Sequence, residues 1–134
     1  MFDEFLLDTA FIQAMLDRHD QHHAWAMANL RLLSRATRVW VTEGIFLEVA
    51  GALSRINRPA AAEFIRSCYT TPNVSVVRLD HDLITKGLNL YGDRPDKDWS
   101  LVDCVSFVVM AENGIRYAMT TDQHFEQAGF HRIV

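Results

Sequence analysis

The sequence predicts an α/β domain, a three-layer α/β/α arrangement around a central, mainly parallel sheet of four or five strands. Short apolar runs alternate with helical patterns along the chain, most of them ten or more residues long. Parallel strands cannot be joined by a tight turn and need such crossover helices. No Gly/Ser-rich linker, repeat or low-complexity tract interrupts residues 1–134, which predicts one domain.

Each element has a local reason. Phe5-Leu6-Leu7 reads as the first strand, ending at Asp8, and Thr9 to Leu16 continues as a short helix. Residues 21 to 34 read as one helix, with Trp25, Ala28, Leu32 and Leu33 sharing a face. Val39-Trp40-Val41 is the second strand. Thr42 is placed to cap a helix to about Ser54, whose stripe is Ile45, Val49, Ala52 and Leu53. Pro59 suits the first turn of the next helix, to about Tyr69. Val74 to Val77 is the third strand, and a helix from Asp80 or His81 runs through Tyr91 to a stop at Gly92. After the polar loop Asp93 to Asp98, Ser100 caps a strongly apolar helix that stops at Asn113-Gly114. Arg116 to Thr120 is the fourth strand and Arg132 to Val134 a short fifth.

Composition excludes several classes. Apolar residues make up 49% and charged residues 22%, a globular balance. The net charge of −4 argues against an all-over polyanion magnet. Residues 31 to 66 nevertheless carry six arginines against Glu43, Glu48 and Glu63, a local +3 beside an acidic remainder. Two cysteines, Cys68 and Cys104, make no disulfide framework and fit a reducing compartment. The acidic start Met1-Phe2-Asp3-Glu4 does not read as a signal peptide, and no apolar run reaches the roughly 18 residues of a membrane span. A cytoplasmic protein is expected.

In open parallel sheets ligands bind beyond the carboxyl ends of the strands. Asp8 stands directly after strand one and Asp122 after strand four, while Asp103 lies in the first turn of the apolar helix. Glu48 lies three residues after Ile45 and four before Ala52, which assigns it to an inward face. Taken singly, Asp8 and Asp122 read as caps, and Ser100 with Asp103 has near capping-box spacing. Taken together, four carboxylates at one rim repel one another and raise their pKa values unless a cation sits among them. Hard oxygen donors select Mg2+ or Mn2+, and such a site suits phosphodiester hydrolysis.

Four segments then resemble a known family: Leu6 to Phe11, Phe46 to Val49, Asp98 to Cys104, and Thr120 to Phe125. In order and spacing they are similar to the blocks of PIN-domain nucleases, in particular VapC-type toxins, over essentially the whole chain. The resemblance implies that Asp8, Glu48, Asp103 and Asp122 are the catalytic and metal-binding quartet, with Thr9 and Thr120 supporting it. It also implies a Mg2+- or Mn2+-dependent endoribonuclease acting on structured RNA such as tRNA or rRNA. A cognate antitoxin and a homodimer are the implied partners. The alternative is a non-catalytic PIN-like module that binds RNA or protein. Glu48 is preferred to Glu43 because it lies on the apolar stripe, and Asp98 or Asp96 remains open as a further ligand.

Arg55, Arg58 and His124 are candidates for contact with RNA or antitoxin. His19, His22 and His23 lie in a polar segment and read as solvated rather than as a metal site. Trp99 reads as core before it reads as a base-stacking platform, whereas Tyr91 is open to either. Ala10 stands where haloacid-dehalogenase-type phosphatases have a second aspartate, and the lysine of receiver domains is missing after the late strand.

Overall fold

The computed structural model describes residues 3–133. The strands are β1 (Glu4–Leu7), β2 (Arg38–Thr42), β3 (Val74–Val77), β4 (Tyr117–Met119) and β5 (His131–Ile133). All neighbours pair in parallel in the order β3-β2-β1-β4-β5, which makes the predicted sheet wholly parallel and five-stranded. Helices complete the three layers: α1 (Thr9–Leu16), α2 (His23–Ala28), α3 (Leu30–Arg35), α4 (Glu43–Leu53), α5 (Arg58–Cys68), α6 (His81–Asp93), α7 (Leu101–Glu112) and α8 (His124–Gln127).

From β1 the chain builds outward through β2 to β3. It then crosses back through α6 and α7 to place β4 on the other side of β1. The order of strands therefore reverses between β1 and β4, and a crevice opens at the carboxyl ends of that pair. Asp8 and Thr120 immediately follow these two strands.

The core fills both faces of the sheet. Phe5, Leu6, Val39, Val41, Ile45, Val49, Met110 and Met119 are fully buried or nearly so. Phe107 of α7 meets Trp99 and Phe125 edge-on, each with ring centroids 5.0 Å apart, which ties α7 to α8 and the incoming loop. Helices α6 and α7 touch at Gly87, where a Cβ would lie 2.7 Å from Val105 Cγ2, so no larger residue fits without displacement.

Several boundaries differ from expectation. The helix expected over residues 21 to 34 is two short ones broken at Asn29, whose side-chain amide instead donates to the Trp25 carbonyl at 2.8 Å. Helix α6 does not stop at Gly92 but runs through it to Asp93. Gly114, with φ of 66°, ends α7 as expected. Strand β5 starts one residue earlier than expected, at His131, and Val134 lies outside the described residues. Helix α8 was not anticipated; its four residues are too short for a periodic signal.

An acidic candidate active site at the strand reversal

Asp8 is 4% exposed, and its Oδ2 accepts the Thr120 hydroxyl at 2.7 Å. The same Thr120 oxygen accepts the Asp122 amide at 2.9 Å, so one buried hydroxyl fixes the acids that follow β1 and β4. Thr120 is completely buried. Its hydroxyl thus bonds on both sides, to Asp8 112 positions away and to Asp122 two positions on.

Asp103 is placed by the start of α7. Its amide donates to Ser100 Oγ at 3.0 Å, and its Oδ2 accepts the Ser100 amide at 3.1 Å. This capping box anchors Asp103 without using its Oδ1. Asp122 Oδ1 accepts the His124 amide at 2.9 Å, a local turn that leads into α8. Both acids therefore carry the capping and turn bonds that their sequence positions suggest. Asp8, by contrast, makes no side-chain cap to α1.

His124 closes the group. Its Nδ1 lies 3.0 Å from Asp103 Oδ2 and 3.4 Å from Asp122 Oδ1. Ligand atoms of Asp103, Asp122 and His124 all fall within 4.8 Å of one another, the one such His/Cys/Asp/Glu group among the described residues. Asp8 belongs to the same field, because Asp103 and Asp122 both raise its pKa.

That pKa is pushed up to about 7. Burial is the main cause, opposed by the Thr120 hydroxyl and the Thr9 amide, and the two neighbouring carboxylates add less. Crowding of charge, the cause expected from the sequence, is therefore secondary to desolvation.

Glu48 does not point inward. The buried stripe of α4 is Ile45, Phe46, Val49 and Leu53, while Glu48 and Ala52 are exposed. Successive residues turn by 100°, so position 48 falls on the edge of the stripe, where a long charged chain reaches water. Glu48 instead lines an apolar groove of about 370 Å³ with Leu101 and Val102, at the end of α7 that carries Asp103. Glu43 is partly buried rather than free: Tyr69 Oη donates to it at 2.7 Å and the Leu79 amide at 2.9 Å.

The remaining candidates lie apart from the acids. Asp96 is spent on a two-pronged pair with Arg94, at 3.0 Å on each prong. Exposed Asp98 lines a separate cavity with Tyr91, Arg94 and Lys97. Arg55 and Arg58 are exposed beyond the far end of α4, roughly 16 Å of helix from the rim. Trp99 is core, with its indole N–H on Gln127 at 3.1 Å and Arg94 stacked over the ring. His23 is held by the Ala14 carbonyl, and Tyr91 is half exposed.

The sequence matches the PIN domain across residues 5–131. The chain belongs to the PIN-domain family. Among solved structures it resembles VapC20 of Mycobacterium tuberculosis, described as a sarcin-ricin loop cleaving toxin, with a TM-score of 0.83 and 25% identity. That match covers 94% of this chain and 95% of the other. FitAcB of Neisseria gonorrhoeae shares the fold at a TM-score of 0.62 and 14% identity, covering 97% of this chain and 96% of that one. A search of curated proteins returned no match. The VapC-type resemblance carried by the four sequence blocks thus agrees with both the family and the structural similarity.

The donors in this PIN domain fit a divalent cation. They are hard oxygens gathered from the ends of two strands and the start of a helix. Thr9, directly after Asp8, has a buried hydroxyl with no hydrogen-bond partner among the described residues. No helix among the described residues is long and apolar enough to cross a membrane.

Proposed function

We propose that this PIN domain is a Mg2+- or Mn2+-dependent endoribonuclease that hydrolyses phosphodiester bonds in structured RNA such as tRNA or rRNA. The observation carrying this reading is the convergence of Asp8, Asp103 and Asp122 at the strand reversal with no lysine or arginine bonded to them among the described residues. Asp8, Asp103 and Asp122 would hold the ion, and Glu48 would join them from the adjoining groove once its side chain turns. When bound, the ion lowers the pKa of a water and neutralises charge on the phosphate oxygens. Thr120 orients Asp8 and Asp122, and the Ser100 capping box orients Asp103. Thr9 supports the site beside Asp8.

The similarity to VapC20 supports the further reading that the whole chain acts as a single-domain toxin of a toxin–antitoxin pair. In it the protein is cytoplasmic, homodimeric and inhibited by a cognate antitoxin. Arg55 and Arg58 would meet the RNA backbone or an antitoxin carboxylate.

The test is incubation of the purified, antitoxin-free protein with total tRNA and rRNA in Mg2+, Mn2+ or EDTA, beside Asp8→Asn. Discrete metal-dependent cuts that vanish in the variant are expected. Binding of RNA without any cutting, with no affinity for a divalent cation, would favour the non-catalytic module instead.

A further inference from the structure

We propose that His124 is a nitrogen ligand of the metal ion and makes the site prefer transition ions such as Mn2+ over Mg2+. The proposal rests on the metal-dependent reading above and deepens it.

The geometry carries it. Two adjacent ligands of an octahedral ion, each roughly 2.1 Å from it, lie roughly 3 Å apart. His124 Nδ1 is 3.0 Å from one oxygen of Asp103 and 3.4 Å from one of Asp122. The ring therefore occupies a ligand's station beside two carboxylates. Its position is set by the backbone, because the His124 amide is anchored on Asp122 Oδ1 and α8 begins there. Buried Phe125, packed on Phe107, anchors the next residue.

Without an ion, a neutral ring with its proton on Nδ1 donates to Asp103. Coordination through Nδ1 uses the other neutral tautomer, with the proton on Nε2, so a neutral ring releases no proton. The Nδ1–Asp103 hydrogen bond is exchanged for a metal–nitrogen bond. Mn2+ shares the preference of Mg2+ for oxygen but, as a first-row transition ion, accepts an imidazole nitrogen more readily, whereas Mg2+ demands near-ideal oxygen geometry and retains its waters.

The experiment loads wild-type protein with a substoichiometric amount of Mn2+ and records pulsed electron paramagnetic resonance, with calorimetric titrations of Mn2+ and Mg2+ alongside. Expected is a directly coordinated 14N signal that disappears in His124→Ala, where the other five histidines remain. Mn2+ affinity should fall in that variant by about tenfold or more, and Mg2+ affinity by much less. His124→Asn, which keeps a donor for Asp103, should also lose the 14N signal and provides a second variant if the alanine protein folds poorly. Bound Mn2+ without 14N coupling, or equal weakening of both ions in His124→Ala, would overturn the ligand role and leave the metal site standing. Failure of wild type to bind Mn2+ at all would overturn both.

Discussion

Two ends of the same sheet rim treat their acids in opposite ways. Beyond β2 and β3, Glu43 receives a phenol and a backbone amide, and those two donors hold its pKa below the usual glutamate value. Beyond β1 and β4, Asp8 also receives a hydroxyl and a backbone amide, from Thr120 and Thr9, but it is deeply buried beside other carboxylates, and its pKa rises to about 7. The first acid is satisfied by its fold and acts as a clasp between α4, α5 and the segment after β3. The second is buried with its charge uncompensated, at a cost in stability, because desolvation outweighs the two bonds that support it. Proximity to the rim alone does not set an acid's protonation; its burial and the charges around it do.

The strongest way to break this comparison is to neutralise an acid on each side. Asp103→Asn should reduce RNA cleavage by more than the roughly 10- to 100-fold typical of a supporting partner, while Glu43→Gln should leave turnover unchanged. Single-turnover cleavage assays would measure both, and equal activity losses would erase the distinction. Next in size is Thr120→Val, which keeps the shape but removes both bonds to the acids. Divalent-ion affinity should drop by about 10- to 100-fold, read by calorimetry.

A pH series sharpens the contrast. Asp8 sits at about 7 in the folded protein against an ordinary 3.8. Between those values the folded state keeps a proton that the unfolded state has lost. This carboxyl therefore removes stability as pH rises from about 4 to about 7, and its effect is constant above that. Urea unfolding in EDTA should show this downward contribution in wild type and not in Asp8→Asn. An identical pH profile in the two proteins would contradict the buried, protonated Asp8.

The smaller effects lie outside the cluster. Glu43→Gln should destabilise the protein by about 1 kcal/mol through its weakened bonds to Tyr69 and Leu79, measured by chemical denaturation. If Arg55 and Arg58 touch the RNA backbone, Arg55→Ala and Arg58→Ala should each flatten the salt dependence of RNA binding by about one unit of slope. A slope equal to wild type would remove them from the interface.

Much of the fold is legible in the sequence. Capping residues and apolar periodicity are local, so Thr42 and Ser100 mark the starts of α4 and α7 and each side chain makes its cap bond, while the start left open between Asp80 and His81 is capped by Asp80. Where a local rule competed with another, the reading failed: the Asn29 side chain bonds the Trp25 carbonyl and helix 21–34 divides. Glu48 failed for a related reason, since spacing places a residue near a stripe but does not decide which way a flexible charged chain turns.

The sequence by itself determined the fold class, the capped starts of α4 and α7, and the placing of Asp8, Asp103 and Asp122 at strand ends and a helix start, because strand alternation and capping act over a few residues. Only the tertiary structure decided the strand order that brings β1 and β4 together, the Thr120 hydroxyl shared by Asp8 and Asp122, and the meeting of His124 with Asp103. The bonds of His124 to Asp103 and of Thr120 to Asp8 join residues 21 and 112 positions apart. Packing of Phe107 against Phe125 and the crossover through α6 and α7 create them, and no periodicity along the chain encodes such a pairing.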